Sequence, residues 1–243
     1  MSGAVMMVGI GIIAALLGLV AGTGIHVAAV RLPAGLTPLG APVCAGCAAP
    51  VPPQALLPWS RTTCTACGAE SDRQRLATQL AAAVLVVLAL FLHGLTVSGI
   101  SVAVFSLILL LILRIDWQHH LIYVATIVPG IVVAFAVAAL TSPEKLISAL
   151  VAAALEGFAF ALFFVLAMVI YRRQALGFGD ILLAVLIGAM TGLGQVVSAM
   201  FIGMVLAALG GVLLVLIGVR TWHDYIPYGA YLCAGAILVL LIP

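Results

Sequence analysis

Three acidic side chains occur in or beside apolar stretches, where a charge is costly. Asp116 occurs in "LILRIDWQHHLIY", Asp180 ends "GFGD", and Glu156 occurs in "VAAALEGFAF". Two carboxyl groups that approach closely share a proton, because both cannot ionise easily. One then acts as general acid and the other as general base, and a water held between them can attack a peptide carbonyl. Asp116 and Asp180 are therefore candidates for a catalytic pair.

Both aspartates also have simpler interpretations. An aspartate is a good N-cap, and each precedes an apolar stretch that could be a helix. Asp116 could pair with Arg114, and separation along the sequence says nothing about contact with Asp180. The glycines Gly177 and Gly179 favour an irregular backbone before Asp180, which is tolerated at membrane depth where it is buried in protein or lines a wet cavity.

Glu156 falls near the middle of an apolar stretch long enough to span a membrane. A carboxylate there costs roughly 2.5–3.5 kcal/mol or more unless it is neutral or paired. We therefore expect Glu156 to face the interior of the helix bundle. It could face substrate or relay protons, or it could be a neutral acid that hydrogen-bonds a neighbouring helix. His26 and Cys233 are expected to be packing residues.

Four cysteines form the pattern C-x2-C-x16-C-x2-C: Cys44, Cys47, Cys64 and Cys67. This spacing is typical of a four-thiolate zinc site, in which each C-x2-C turn offers two sulfurs to one tetrahedral ion. Disulfides or a redox role are the alternatives. With four protein ligands the metal would have no open position, so its expected role is to fold the loop.

Composition indicates a membrane protein. The 243 residues are 66% hydrophobic and 7% charged, whereas about a quarter of the residues in soluble domains are charged. The net charge of +2 is too small to indicate nucleic-acid binding. We expect an all-α polytopic membrane protein with about eight transmembrane helices, near residues 4–30, 77–93, 97–113, 121–140, 146–171, 180–192, 196–219 and 226–242.

The chain is predicted to contain a first transmembrane helix (1–30), a polar cysteine-rich loop (31–76) and a transmembrane domain (77–243). With eight spans, the odd-numbered loops contain eight of the nine basic residues. The positive-inside rule then places the cysteine loop in the cytoplasm and both termini outside. The stretch 180–192 is short for a crossing, so it either crosses with the GFGD stretch immersed or is re-entrant; the charge bias favours crossing.

Several stretches, in order, resemble the type IV prepilin leader peptidases, membrane aspartic proteases of the GxGD type. They are "GLVAGTGIHVAAVRLP" at the end of the first span, the paired CxxC loop, the aspartate of "RIDWQ", "GFGD", and "IPYGAYLCAGA". The resemblance implies that Asp116 and Asp180 are catalytic and that 77–243 is the peptidase domain. It implies cleavage of the basic leader of type IV prepilin or pseudopilin precursors, at the cytoplasmic face of a bacterial inner membrane.

Members of this family also methylate the new N-terminus with S-adenosylmethionine, and the cysteine loop has been associated with that activity. The chain departs from the family pattern at Leu182, Tyr123 and His26, where the family has Lys, Pro and Asn. These departures leave both aspartates intact, and they weaken the implication of methyl transfer.

Two functions of other classes remain open. A proton-coupled transporter could use Asp116, Glu156 and Asp180 as an ion path, although such transporters are typically built from paired repeats and broken helices, which this sequence does not display. A catalytically inactive scaffold of a pilus or secretion system is the other alternative.

Overall fold

The computed structural model describes residues 2–57, 60, 63–70, 73–171, 177–218 and 227–242. Within these ranges the regular structure is helical, apart from two isolated β-bridges, so the predicted all-α class is confirmed. The helices are α1 Ser2–Arg31, α2 Arg73–His93, α3 Val97–His119, α4 Val124–Thr141, α5 Pro143–Tyr171, α6 Phe178–Leu216 and α7 Tyr228–Leu241, with a 3-10 turn at Pro53–Leu56.

Among the described residues, six helices, α1 to α6, are long and apolar enough to cross a membrane, and α7 is a shorter apolar helix of 14 residues. The predicted count of eight differs because the stretch 180–192 and residues 196–216 of the next stretch both lie within α6, which is 39 residues long. A straight helix of that length would extend about 58 Å, roughly twice the hydrocarbon thickness of a bilayer. α6 is instead broken at Gly192, whose φ of 65° and ψ of 178° are not helical. The break lies at the predicted boundary between the two stretches.

The third helix extends further than predicted, to His119 instead of 113. Charged and polar residues do not end a helix by themselves, and α3 stops where His120 adopts a left-handed φ of 51°. Asp116 therefore lies inside α3, near its C-terminal end. The interpretation of Asp116 as the N-cap of the following helix is wrong.

Met1–Leu111 and Ile112–Pro243 form two compact units. In the first unit, α1 packs closely on α2 through Gly18 and Gly22. A Cβ on Gly22 would lie 2.6 Å from Cα of Gln79, and one on Gly18 would overlap the backbone of Ala83. Small residues four positions apart allow two membrane helices to approach at their backbones. Ile25, Ala82 and Leu110 form a buried cluster in this unit.

The cysteine loop is tied to α2 by two buried polar side chains. Arg75 donates a 2.7 Å hydrogen bond from Nη2 to the carbonyl of Ser60. Gln79 donates from Nε2 to the carbonyl of Leu56 and to Oγ1 of Thr23, both at 2.9 Å. A cavity of about 200 Å³ lies between the loop and the helix ends, with Arg75 and the predicted packing residue His26 among its lining side chains.

In the second unit, α6 packs against α4, α5 and α7. Its first segment runs antiparallel to α5: a Cβ on Gly188 would lie 2.7 Å from the carbonyl oxygen of Ala152, and the backbone amide of Leu193 donates to Oγ of Ser148 at 2.9 Å. The segment after Gly192 packs on α7, where Gly203 and Gly235 meet at their backbones. Cys233, predicted to be a packing residue, is fully buried in α7.

The predicted orientation rests partly on residues outside the described ranges. Arg61, Arg172, Arg173 and Arg220 are among these, as are Pro58 and Trp59 of the cysteine loop and Ile226 of the closing segment. The cytoplasmic placement of the loop therefore stays a prediction.

Candidate aspartate site and metal centre

The carboxyl group of Asp116 is bound by the first turn of α7. Asp116 is 5% exposed, and its Oδ2 accepts a 2.7 Å hydrogen bond from the backbone amide of Ala230. The first amides of a helix have no partner within the helix and carry the positive end of its dipole. The sequence folds this way because α7 begins after Pro227 with Tyr228 and Gly229. A Cβ on Gly229 would lie 3.0 Å from Oδ2 of Asp116, so glycine permits the close approach.

Asp180 lies in the first turn of α6 and forms a reciprocal contact with Gly177, the N-cap residue. Its Oδ2 accepts a 2.9 Å hydrogen bond from the Gly177 amide, and its own amide donates to the Gly177 carbonyl at 3.1 Å. Asp180 is thus the third residue of the helix and not its N-cap. The capping interpretation is correct in kind, because the carboxyl group does satisfy a free amide.

The two glycines of GFGD differ in what they contribute. A Cβ on Gly179 would lie 2.8 Å from Cβ of Ile122, so only glycine allows this approach. Gly177 has an ordinary extended conformation, and a Cβ there would lie 3.4 Å from Asp180 Oδ2, which is normal van der Waals contact. The irregular backbone predicted before Asp180 is, in the described residues, the start of a helix.

The fold holds Asp116 and Asp180 at two helix starts that approach the same side chain, Ile122. Ile122 lies between the two helix starts: it faces Gly179, beside Asp180, and its Cδ1 would lie 3.0 Å from a Cβ on Gly229. Two helix N-termini therefore meet on one apolar side chain, each with an aspartate bound to it.

Tyr228 connects this site with Glu156. The Tyr228 hydroxyl is within electrostatic reach of both Asp180 and Glu156. Glu156 is half-buried on α5, on the stripe of residues that packs against α6; the next residue, Gly157, meets Val185 of α6. The role of Glu156 stays a prediction. Tyr228 is a described residue that interacts electrostatically with both Glu156 and Asp180.

The four cysteines of the loop lie together, with all four Sγ atoms within 4.8 Å of one another. The Sγ atoms of Cys44 and Cys67, and those of Cys47 and Cys64, are 3.7 Å apart. Four sulfurs placed about 2.3 Å from one tetrahedral ion are separated by roughly 3.8 Å, whereas a disulfide requires about 2.05 Å. The cysteines are free thiols whose spacing fits a zinc ion.

The two CxxC turns have the same backbone design. In each, the amide of the first cysteine donates to the carbonyl five residues on at 2.8 Å, and a left-handed residue follows the second cysteine: Ala48 in one turn, Gly68 in the other. Backbone amides of Cys67 and Ala66 lower the pKa of Cys64 to about 6. A thiolate stabilised by amides is ready to bind a cation.

Comparison with known protein families then adds one finding. Residues 103–213 match the type IV leader peptidase family. The resemblance predicted from the sequence is confirmed. The matched segment contains both Asp116 and Asp180, while the cysteine cluster and α7 lie outside it. Comparisons with curated proteins and with solved structures find no match. The apolar helices indicate a multi-pass membrane protein, and its residues 103–213 are similar to the type IV leader peptidase family.

Sequence reasoning missed the α7 residues that contact Asp116 in the candidate aspartate site. Ala230 supplies an amide and Gly229 supplies room, and neither side chain has functional chemistry of its own. The signal was the Pro-x-Gly pattern of "IPYGAYLCAGA", in which Tyr228 stands between the proline and the glycine. The ring of Tyr231 also contacts Trp117 edge to face, with 5.9 Å between centroids, which holds α7 beside the end of α3.

Proposed function

We propose that the chain is a membrane aspartic endopeptidase that removes the basic leader from type IV prepilin or pseudopilin precursors. One observation supports this most: Asp116 and Asp180, far apart in sequence but both within residues 103–213, are each bound by an amide at a helix start, and both helix starts contact Ile122. An N-cap or an ion pair with Arg114 would explain one aspartate, but neither would bring the two together.

The chemistry needs only the two carboxyl groups and one water. The ionised aspartate removes a proton from the water, and the resulting hydroxide bonds to the carbonyl carbon of the scissile peptide. The protonated aspartate gives its proton to the carbonyl oxygen. Collapse of the tetrahedral intermediate breaks the C–N bond: the aspartate that took the water proton gives it to the leaving nitrogen, and one hydroxyl of the intermediate returns its proton to the other aspartate. The amides of Gly177 and Ala230 hold the carboxyl groups in place and favour the ionised form of the aspartate that acts as base.

The short length of α7 supports a site just below the membrane surface. α7 has 14 residues, which corresponds to about 21 Å, less than the roughly 30 Å of the hydrocarbon core. An aspartate bound to the start of so short a helix lies close to the membrane surface. A precursor can reach it there if the cleaved bond is next to the apolar helix of that precursor. We place this face in the cytoplasm of a bacterial cell, with the cysteine loop, as the charge bias predicts.

The cysteine cluster is proposed to hold one structural zinc ion through Cys44, Cys47, Cys64 and Cys67. When bound, the ion joins the two CxxC turns and fixes the loop over the helix ends of its unit. Methyl transfer from S-adenosylmethionine stays a prediction of the family resemblance, and we assign no described residue to it.

One observation favours the transporter hypothesis: α6 is broken at Gly192. The sequence did not predict this break. The described α6 break is filled by Ser148, whose Oγ accepts from the Leu193 amide, and it contains no acidic residue. An inactive scaffold would have no need for two aspartates bound at helix starts that approach one side chain. Both alternatives therefore explain less than the peptidase.

Co-expression with candidate precursors from the same genome tests the proposal. The wild-type protein should shorten a prepilin-like precursor at the boundary between its basic leader and its apolar helix, as located by mass spectrometry. Glu144→Gln, which changes an exposed acid at the start of α5, is the matched control and should cut normally. Ion-coupled uptake without cleavage would support the transporter, and normal filament assembly without cleavage would support the scaffold.

A further inference from the structure

Glu156 is an acid within a membrane span that the two-aspartate chemistry does not use. In the described part of the chain it makes no hydrogen bond and no ion pair, and it is half-buried, not enclosed. A carboxyl group at this depth needs a polar partner or water, because apolar surroundings make it costly. The described residues supply an electrostatic neighbour, Tyr228, but no cation.

The position of Glu156 relative to the aspartates follows from the packing of α5 on α6. Gly192 faces Ser148, Gly188 faces Ala152, and Val185 faces Gly157. Continuing this antiparallel register places Asp180 level with about residue 161. Glu156 then lies about five residues, or roughly 7 Å, further along α5 toward the middle of the span.

Glu156 also faces the same side as the aspartate site. Ala152, Ala153 and Phe160 on its stripe are buried, while Leu155 and Phe158 beside it are exposed. Tyr228, at the start of α7, is within electrostatic reach of both Asp180 and Glu156. The register and the buried stripe therefore place Glu156 on the side of α5 that packs against α6, deeper in the span than Asp180.

On the basis of the proposed peptidase function, we propose that Glu156 is a specificity-determining residue. It receives a hydrogen-bond-donating side chain from the membrane segment of the precursor, about two residues beyond the cleaved bond if that segment is extended and about five if it is helical. The donor offsets the cost of the acid in the membrane, so a precursor that carries it binds better than one with an all-apolar segment.

A substrate scan tests this. Precursors carry a single glutamine in place of one apolar residue at each of the first eight or so positions after the cleaved bond, a range that covers both geometries. The wild-type protein should cut one of them at least about tenfold better than the all-leucine precursor, the gain expected from one hydrogen bond to an acid at low dielectric. Glu156→Leu should lose the preference and cut all of them about equally. Leu155→Ala, on the exposed side of α5, should keep the wild-type preference. Identical profiles for wild type and Glu156→Leu would overturn the inference.

A binding measurement separates this inference from the proposed activity. In Asp180→Asn, the photoreactive residue p-benzoylphenylalanine at position 156 should form adducts with the membrane segment of the precursor, whereas the same residue at position 155 should not. Adducts at 156 without any cleavage by wild type would keep the contact and overturn the peptidase. Cleavage by wild type without adducts at 156 would keep the peptidase and overturn the contact, and the absence of both would overturn both.

Discussion

The carboxylate of Asp116 accepts a 2.7 Å hydrogen bond from the backbone amide of Ala230, in the first turn of a helix to which Asp116 does not belong. This contact joins residues 114 positions apart. It places a carboxyl group at the positive end of α7, while Asp180 occupies the equivalent end of α6. The arrangement depends on small residues at both helix starts.

Gly229→Ala should therefore impair catalysis more than folding. Its Cβ would lie 3.0 Å from both Asp116 Oδ2 and Ile122 Cδ1, so one of them must shift. A displaced catalytic group commonly lowers the rate by about a hundredfold, and we expect kcat to fall by that order with little change in thermal stability. Gly194→Ala, at a glycine with open space around it, is the control. A fully active Gly229→Ala protein would show that the Asp116 contact is unimportant.

Gly192→Ala should instead destabilise the second unit. The φ of 65° and ψ of 178° at Gly192 belong to a region that only glycine adopts readily. The substitution should cost about 1–3 kcal/mol, measured as a lower unfolding temperature in detergent, with Gly194→Ala unchanged. Equal stability of the two variants would mean that α6 runs through this position as regular helix.

The sequence predicted the helical class and the cysteine cluster and singled out the two aspartates as candidates, because each has a local signature in hydropathy, spacing or an intramembrane charge. It did not predict the partners of the aspartates. Ala230 and Ile122 are ordinary apolar residues, and their roles arise from which helix ends meet. The end of α3 was predicted too early for a related reason. Arg114 and Asp116 are residue types expected at the membrane–water interface, but the helix continues until His120, which has a left-handed φ.

The left-handed residue of each CxxC turn gives a paired prediction for the loop. Ala48 has a φ of 56° where the other turn has Gly68, and a Cβ on Gly68 would meet nothing. The expected free-energy difference between alanine and glycine in these turns is therefore the backbone strain of a left-handed alanine, about 1–2 kcal/mol. Gly68→Ala should weaken zinc binding and Ala48→Gly should strengthen it, as measured by competition with a chelating dye. A reversed order would contradict the described turn conformation.

Metal content tests the cluster itself. Protein purified under reducing conditions without chelator should contain about one zinc ion per chain, the stoichiometry of a four-thiolate site. Cys44→Ser and Cys64→Ser should each lose the ion, because a structural site tolerates no missing ligand. Cys233→Ser, which changes the buried cysteine of α7, should retain it. Metal-free wild-type protein, or disulfides found by mass spectrometry, would refute the zinc site.

The central claim is that Asp116 and Asp180 act as one catalytic unit, and a double-substitution cycle tests it most directly. Cleavage of one precursor would be measured for Asp116→Asn, Asp180→Asn and the double variant, all in the same membrane mimetic. Groups that act together are strongly non-additive, so each single variant should lose as much of kcat/KM as the double variant, about a thousandfold or more. Additive losses, or substantial activity in either single variant, would contradict a shared site.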